Sequence, residues 1–438
     1  MIATVRAIAV QLSGAVPARP SVRLRHGFWG LADQALTAAV SFVTTLLAAT
    51  ALREEEFGEF ALALTAIYLV NTLQAGAITR PHNLLGAARA PSRYAGYTTA
   101  TALLQLAFTA ASAALGIVAT LVAIVLLPDS VSVLAALTFA GVAWQLQEFV
   151  RRVLYTEERG GGAFANDIVT YGGQAVVLAA VVAAGALTAS TALVIIGATS
   201  VAGLALGVYQ IRGSLSRAID PDAFRDNFAM GKWLAAAEAA HWTSTQIYLY
   251  VAAIMLGPVA AATIRATQVL FGPLRIILTF LYSVLPVSFS RARAREGREA
   301  LHREVGRAYA VVVPVLLAYC LPLALLAQPV LRLLYHDKYG DDAGVVVLTA
   351  VQYFFVCLVP IVSSLLQVQG LARHLFLIQV YVSAISLPFG WVLVRAMNVE
   401  GAVIGMTIAA VATSAYAWWI YRRSPQARAR EHRDDAAA

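Results

Sequence analysis

Apolar stretches of about twenty residues follow one another through almost the whole chain. Between His26 and Tyr421 some twelve can be marked: residues 27–52, 57–80, 96–127, 131–155, 163–186, 189–211, 231–257, 258–288, 309–334, 343–369, 372–396 and 399–421. Each approaches the ~20 residues a helix needs to cross a hydrocarbon core about 30 Å thick. The breaks between them are too short for a soluble domain. The pattern predicts an all-α polytopic membrane protein of about twelve transmembrane helices.

Composition and charge sharpen this picture. Hydrophobic residues make up 60% of the chain and charged residues 13%, more apolar surface than a soluble core can use. Of the 32 Lys and Arg, 26 lie on the two tails and on alternate loops, and four lie on the opposite loops. By the positive-inside rule this places both termini in the cytoplasm and requires an even number of spans. The net charge of +8 is thereby explained without a nucleic-acid partner. Membrane lipids remain a partner for the basic C-tail. An Ala- and Arg-rich chain with only Lys232 and Lys338 suggests a bacterial plasma membrane. Met1–Arg25 lacks the long apolar stretch and small-residue cleavage site of a signal peptide.

The sixth loop divides the spans six and six. The expected organisation is a cytoplasmic N-tail (1–26), a first lobe (27–211), a cytoplasmic link (212–230), a second lobe (231–421) and a basic C-tail (422–438). At an offset of 204 residues, Gly27-Phe28-Trp29 falls on Gly231-Lys232-Trp233 and Gln34 on Glu238. Two halves of six spans would share one orientation, with a substrate site between them. The eighth loop, Ser290–Arg307, is strongly basic. It suits a solvated helix extension or a docking surface for an anionic head group or cytoplasmic partner.

Ionisable groups inside hydrocarbon cost about 2.5–3.5 kcal/mol each on insertion scales, so each calls for a reason. In the eighth span Arg265, Gln268, Gly272 and Arg275 fall within roughly 80° of one another on one helix. Guanidinium is a permanently charged fork that matches phosphate oxygens, so Arg275, with Arg265 and Gln268, is a candidate anion site. The alternative is an ion pair of Arg275 with Glu238 or Asp33. Asp33, Thr37, Ser41 and Thr44 form a polar stripe on the first span. Glu238, His241, Thr245 and Tyr248 form one on the seventh. Carboxylates there suit a coupling cation, a proton relay or the neutralisation of an arginine. His241 leaves a proton role open. Arg151 and Arg152 end the fourth span and Arg80 the second, where they suit capture of a phosphorylated head group. Glu148–Arg152 also reads as an i,i+4 helix pair. Asp167, Thr170 and Gln174 share a face of the fifth span.

The chain has no Walker A sequence, no zinc-ligand spacing and no nucleophile elbow, and neither an enzyme activity nor a cofactor is expected. Cys320 and Cys357 both fall in apolar spans and read as small packing residues.

Several stretches together resemble one family. Leu31–Val70 (LADQALTAAVSFVTTLLAATALREEEFGEFALALTAIYLV) is similar to the first two spans of polysaccharide-biosynthesis membrane proteins, the Wzx-like flippases. Its acidic turn is followed by Phe57-Gly58-Glu59-Phe60-Ala61. Gln147–Arg159 resembles the family's fourth-span exit. Phe271–Arg291, with Pro286, resembles its eighth span, and Leu333–Gln352 its ninth-to-tenth loop. GAVIGMTIAAVATSAYAWWIYRR resembles its last span. The resemblance implies two six-helix lobes around a V-shaped cavity. It also implies a flippase for undecaprenyl-diphosphate-linked glycans acting by alternating access, with a polymerase or glycosyltransferases as possible neighbours. The superfamily also holds cation-coupled drug antiporters, whose cavity would be acidic. The Gly-x-x-x-Asp-Arg signature of major-facilitator transporters has no match in the second loop. A non-transporting scaffold would have no need of Arg275.

Overall fold

The computed structural model describes residues 20–335 and 338–423. The expected tails, as far as residue 19 and from residue 424, lie outside the described residues. Everything described is helix, turn or short connection. The helices are α1 (Pro20–Ala51), α2 (Glu54–Gln74), α3 (Pro91–Leu126), α4 (Val131–Thr156), α5 (Gly160–Asp167), α6 (Gly173–Ala183) and α7 (Ala189–Ile211). They continue as α8 (Ala223–Leu256), α9 (Pro258–Val269), α10 (Leu274–Leu325), α11 (Ala327–Tyr335), α12 (Ala343–Val368) and α13 (Ala372–Arg423). Helix is the expected answer: in lipid every backbone N–H and C=O must find its partner within the segment.

Among the described residues, ten stretches are long and apolar enough to span a membrane. The difference from twelve has two sources. His374–Arg423 is one continuous stretch holding two of the marked spans, broken at Met397 and at Asn398, whose φ is 53°. The marked seventh span lies in α8, which is 34 residues long but too polar to count as apolar.

The chain forms two compact units. The first comprises the residues through Ala51 together with Ala63–Ala239, and the second Leu52–Leu62 together with the residues from Ala240. In the first unit α4 packs along α7 and against α3, and α1 lies on α5 and α6. Small residues permit the close approach, as is usual where van der Waals contact drives association in lipid. A Cβ on Gly203 would lie 1.9 Å from Thr170 Oγ1, and one on Gly207 2.4 Å from Val150 Cγ1.

Segment 212–230, expected as a link, packs on the first unit. Arg89 pairs with Asp226 at 2.6 Å, and Arg93 with Asp220 and Asp222. Asn227 donates to Ala77 O at 2.8 Å. In the second unit α12 packs on α10 and α13. Its core holds Tyr248, Ile264, Val403 and Met406.

Candidate functional site

Three helices of the first unit place charged side chains together. Asp33 projects from α1, Glu148 and Arg151 from the last turns of α4, and Asp167 from the end of α5. Asp33 and Asp167 are fully buried and Arg151 is 4% exposed. The Arg151 guanidinium pairs with Asp33, lies 2.6 Å from Asp167 through Nε, and reaches Glu148 at 3.0 Å. The Tyr155 hydroxyl also donates to Asp33, and the Arg151 guanidinium sits 5.4 Å from the centre of the Tyr155 ring. Arg152 turns outward, bound to Glu148 at 2.5 Å.

Neutral donors complete the cluster. Gln147 donates to Asn166 at 2.8 Å and to Asp167 at 3.3 Å, and Asn166 donates to Gly203 O at 2.7 Å. A π-type turn, Ile168–Gly172, follows Asp167 directly. Such a turn inserts a residue into the helix and re-aims the side chains beside it. In this arrangement Asp33, Glu148 and Asp167 are all ion-paired with Arg151.

This geometry separates Arg151 from Arg152. Both suit head-group capture at the mouth of the fourth span, with a Glu148–Arg152 helix pair as the equal alternative; that pair is present, and Arg151 is buried and committed to carboxylates. Asp33 and Glu238, the proposed partners of Arg275, take their cations inside the first unit. Asp33 holds Arg151, and Glu238 pairs with Arg80, which is half exposed. His241 is exposed, and its carbonyl accepts from Ser244 and Thr245.

The eighth span is the main correction. Arg265, Gln268 and Arg275 were placed on one continuous helix face, but α9 ends at Val269 and α10 begins at Leu274. The sequence at the break is Leu270-Phe271-Gly272-Pro273, and Pro273 has no N–H to continue an α-helical ladder. The regular helical phase is therefore interrupted between Gln268 and Arg275. Arg265 remains on α9, donating to Gln268 at 3.0 Å and to Gln246 at 3.1 Å. Gln268 in turn donates to Met406 Sδ at 3.7 Å. Arg275 lies one residue into α10 and is exposed.

Several polar groups escaped the sequence reading. His82 is fully buried, bonded through Nδ1 to Thr101 at 2.8 Å and stacked on Tyr97. Gln74, Gln105 and Gln145 form a buried network across α2, α3 and α4. A lone His after an arginine-proline pair, or Gln74 and Gln105 on apolar helices, gives no signal until the helices are packed; Gln145 is legible as a polar residue near the end of the fourth span, but its partners are not. Cys320 and Cys357 are buried and free. Among the described residues no group of three or more His, Cys, Asp and Glu is arranged to hold a metal.

Comparison with solved structures supplies the fold's relatives. The lipid II flippase MurJ in an inward closed conformation superposes with a TM-score of 0.69 at 11% identity, over 91% of this chain and 87% of that one. An inward-facing multidrug resistance MATE family transporter of the MOP superfamily gives 0.65 at 15% identity, over 94% and 97%. A MOP superfamily transporter from Pyrococcus furiosus, for which reverse polarity of the binding pocket suggests a different function, gives 0.58 at 14% identity, over 91% and 95%. No family model matches the chain, and no curated relative does. The fold is that of MOP-superfamily transporters.

Proposed function

We propose that this chain is a membrane transporter that moves a polyprenyl-diphosphate-linked oligosaccharide across a bacterial plasma membrane by alternating access, in cell-surface polysaccharide synthesis. The observation that carries the reading is the exposed guanidinium of Arg275 beside the break of the eighth span. A permanent cation exposed within a membrane-spanning region needs an aqueous or anionic companion, and a diphosphate is a bidentate match. Polarity supports the same choice. An antiporter for drug cations wants free carboxylates, whereas Asp33, Asp167 and Glu148 are held by arginines and Glu238 by Arg80. For the archaeal neighbour, too, pocket polarity is the property that suggests a different function.

The test is transport in proteoliposomes. The wild-type protein is expected to flip a fluorescent polyprenyl-diphosphate glycan and to leave a lipophilic dye cation where it is. Arg275→Ala should fold and lose flipping. Arg275→Lys should recover part of it, since an ammonium keeps the charge but not the fork. A fully active Arg275→Ala variant, or export of the dye cation alone, removes the flippase reading.

A further inference from the structure

The break between α9 and α10 leaves specific backbone carbonyls without their helical donors. In an unbroken helix Ala266 O would accept from Leu270 N, and Leu270 O from Leu274 N. Here Leu270 N turns to Thr267 O at 3.3 Å and Leu274 N to Phe271 O at 3.0 Å. The intervening amides follow the same shortened pattern. Phe271 N bonds Gln268 O at 3.1 Å, Gly272 N bonds Val269 O at 2.9 Å, and Arg275 N bonds Gly272 O at 3.0 Å. Two carbonyls, those of Ala266 and Leu270, are thus deprived of their usual partners in a region that offers little water.

Each receives a tyrosine hydroxyl. Tyr335, at the end of α11, donates to Ala266 O at 2.9 Å. Tyr319, on α10, donates to Leu270 O at 2.8 Å. Tyr335 is 1% exposed and its ring stands edge-on to Tyr339, with centroids 5.2 Å apart. Phe271, at the centre of the break and fully buried, is stacked on Tyr353 at 5.1 Å and meets Tyr319 edge-on at 6.4 Å. The break is therefore held by named contacts on both sides. Beyond it stands Arg275, whose direction depends on where α10 starts.

We propose that Tyr319 and Tyr335 are positioning residues: their hydroxyls latch the break in the eighth span and so aim Arg275 at the anionic group of the substrate. The idea rests on the reading of Arg275 given above, but the latch itself does not. Without the hydroxyls these two carbonyls must find other donors, and because Pro273 still keeps the helix from running through, only a shift of the turn itself can supply them. With a rise of 1.5 Å and about 100° of turn per residue, a one-residue shift in where α10 starts would swing Arg275 off its present bearing.

Two readouts separate the parts. The first is labelling of Arg275→Cys by an impermeant maleimide, in full-length protein carrying Cys320→Ala and Cys357→Ala, with Arg303→Cys as a control. Adding Tyr319→Phe and Tyr335→Phe keeps both rings and removes only the hydroxyls. It should change the labelling rate at position 275 about fivefold or more, the scale of a lost hydrogen bond or two, and leave position 303 unchanged. The second readout is the rise in melting temperature given by inorganic diphosphate to the protein with Arg275 intact. The two Tyr→Phe changes should weaken that response and Arg275→Ala should abolish it. Should the double Tyr→Phe variant not fold, Gly272→Ala with Pro273→Ala, which lets the helix run through, takes its place with the same expected change. Unchanged labelling at position 275 in a folded variant overturns the latch. Changed labelling with no diphosphate response in the wild-type protein leaves the latch standing and overturns the anion reading of Arg275.

Discussion

Neighbouring arginines at the end of α4 have opposite fates because adjacent residues on a helix point about 100° apart. The sequence shows Arg151 and Arg152 as one basic pair. The fold sends Arg151 into a nest of carboxylates and leaves Arg152 38% exposed at its side chain. The charges themselves were legible, as was their lodging in apolar spans. Their pairing was not, because Asp33, Arg151 and Asp167 come from three helices and meet only when those helices pack. The pairing sets an expectation. Arg151→Ala strands two fully buried carboxylates, so it should cost about 3–5 kcal/mol and lower the yield of monodisperse protein. Adding Asp33→Asn and Asp167→Asn should restore much of that yield, read as melting temperature in detergent. Arg151→Lys should fall between, because an ammonium cannot reach three carboxylates as a planar fork does. Full stability of Arg151→Ala alone would show that the cluster contributes nothing to folding.

Helices were legible as elements, and so was one of their breaks. The kink at Met397–Asn398 falls between the spans marked at 372–396 and 399–421. The break at residues 270–273 was not seen, although Gly272-Pro273 is its signal. A proline in a transmembrane stretch is tolerated wherever neighbours satisfy the freed backbone, so sequence alone leaves open whether it kinks, breaks or merely bends. What settles it are Tyr319 and Tyr335, some fifty and seventy residues away. A second device invisible in the sequence is the seat of Tyr248. Its ring is 1% exposed and lies against Gly390 and Gly405 on α13. A Cβ at position 405 would stand 2.2 Å from Tyr248 Cε1. Gly405→Ala should therefore destabilise the second unit by about 1–3 kcal/mol, the usual scale of overpacking. Gly405→Ala with Tyr248→Leu should regain part of the loss. A melting temperature unmoved by Gly405→Ala alone would mean that α13 shifts freely away from α8.

At the scale of the whole molecule, the distribution of positive charge argues for one orientation, and contacts inside the first unit bear on it independently. The second, fourth and sixth loops touch one another. Thr156 donates to Asn83 at 2.9 Å, Arg159 to Gln210 O at 2.9 Å, and Thr99 and Ser216 exchange hydrogen bonds of 2.9 Å. Arg89 and Arg93 grip Asp220, Asp222 and Asp226 on the same side. These loops must therefore share one face of the membrane. The connections at Leu127–Ser130 and at 184–188 join the opposite helix ends. If the arginine-rich face is cytoplasmic, as the positive-inside rule requires, the other connections are external. Single cysteines in a chain carrying Cys320→Ala and Cys357→Ala test this in intact cells. Arg217→Cys should resist an impermeant maleimide until the cells are opened, and Ala186→Cys should label from outside. Arg303→Cys, in the second unit, should behave as Arg217→Cys does, since both belong to the arginine-rich segments between the marked spans, Arg303 within α10. The reverse pattern would invert the topology and place Arg80, Arg151 and Arg152 at the outer face. A substrate drawn from the cytoplasmic leaflet would then meet the more exposed Arg80 and Arg152 only on leaving, and their use in capturing its head group would fail.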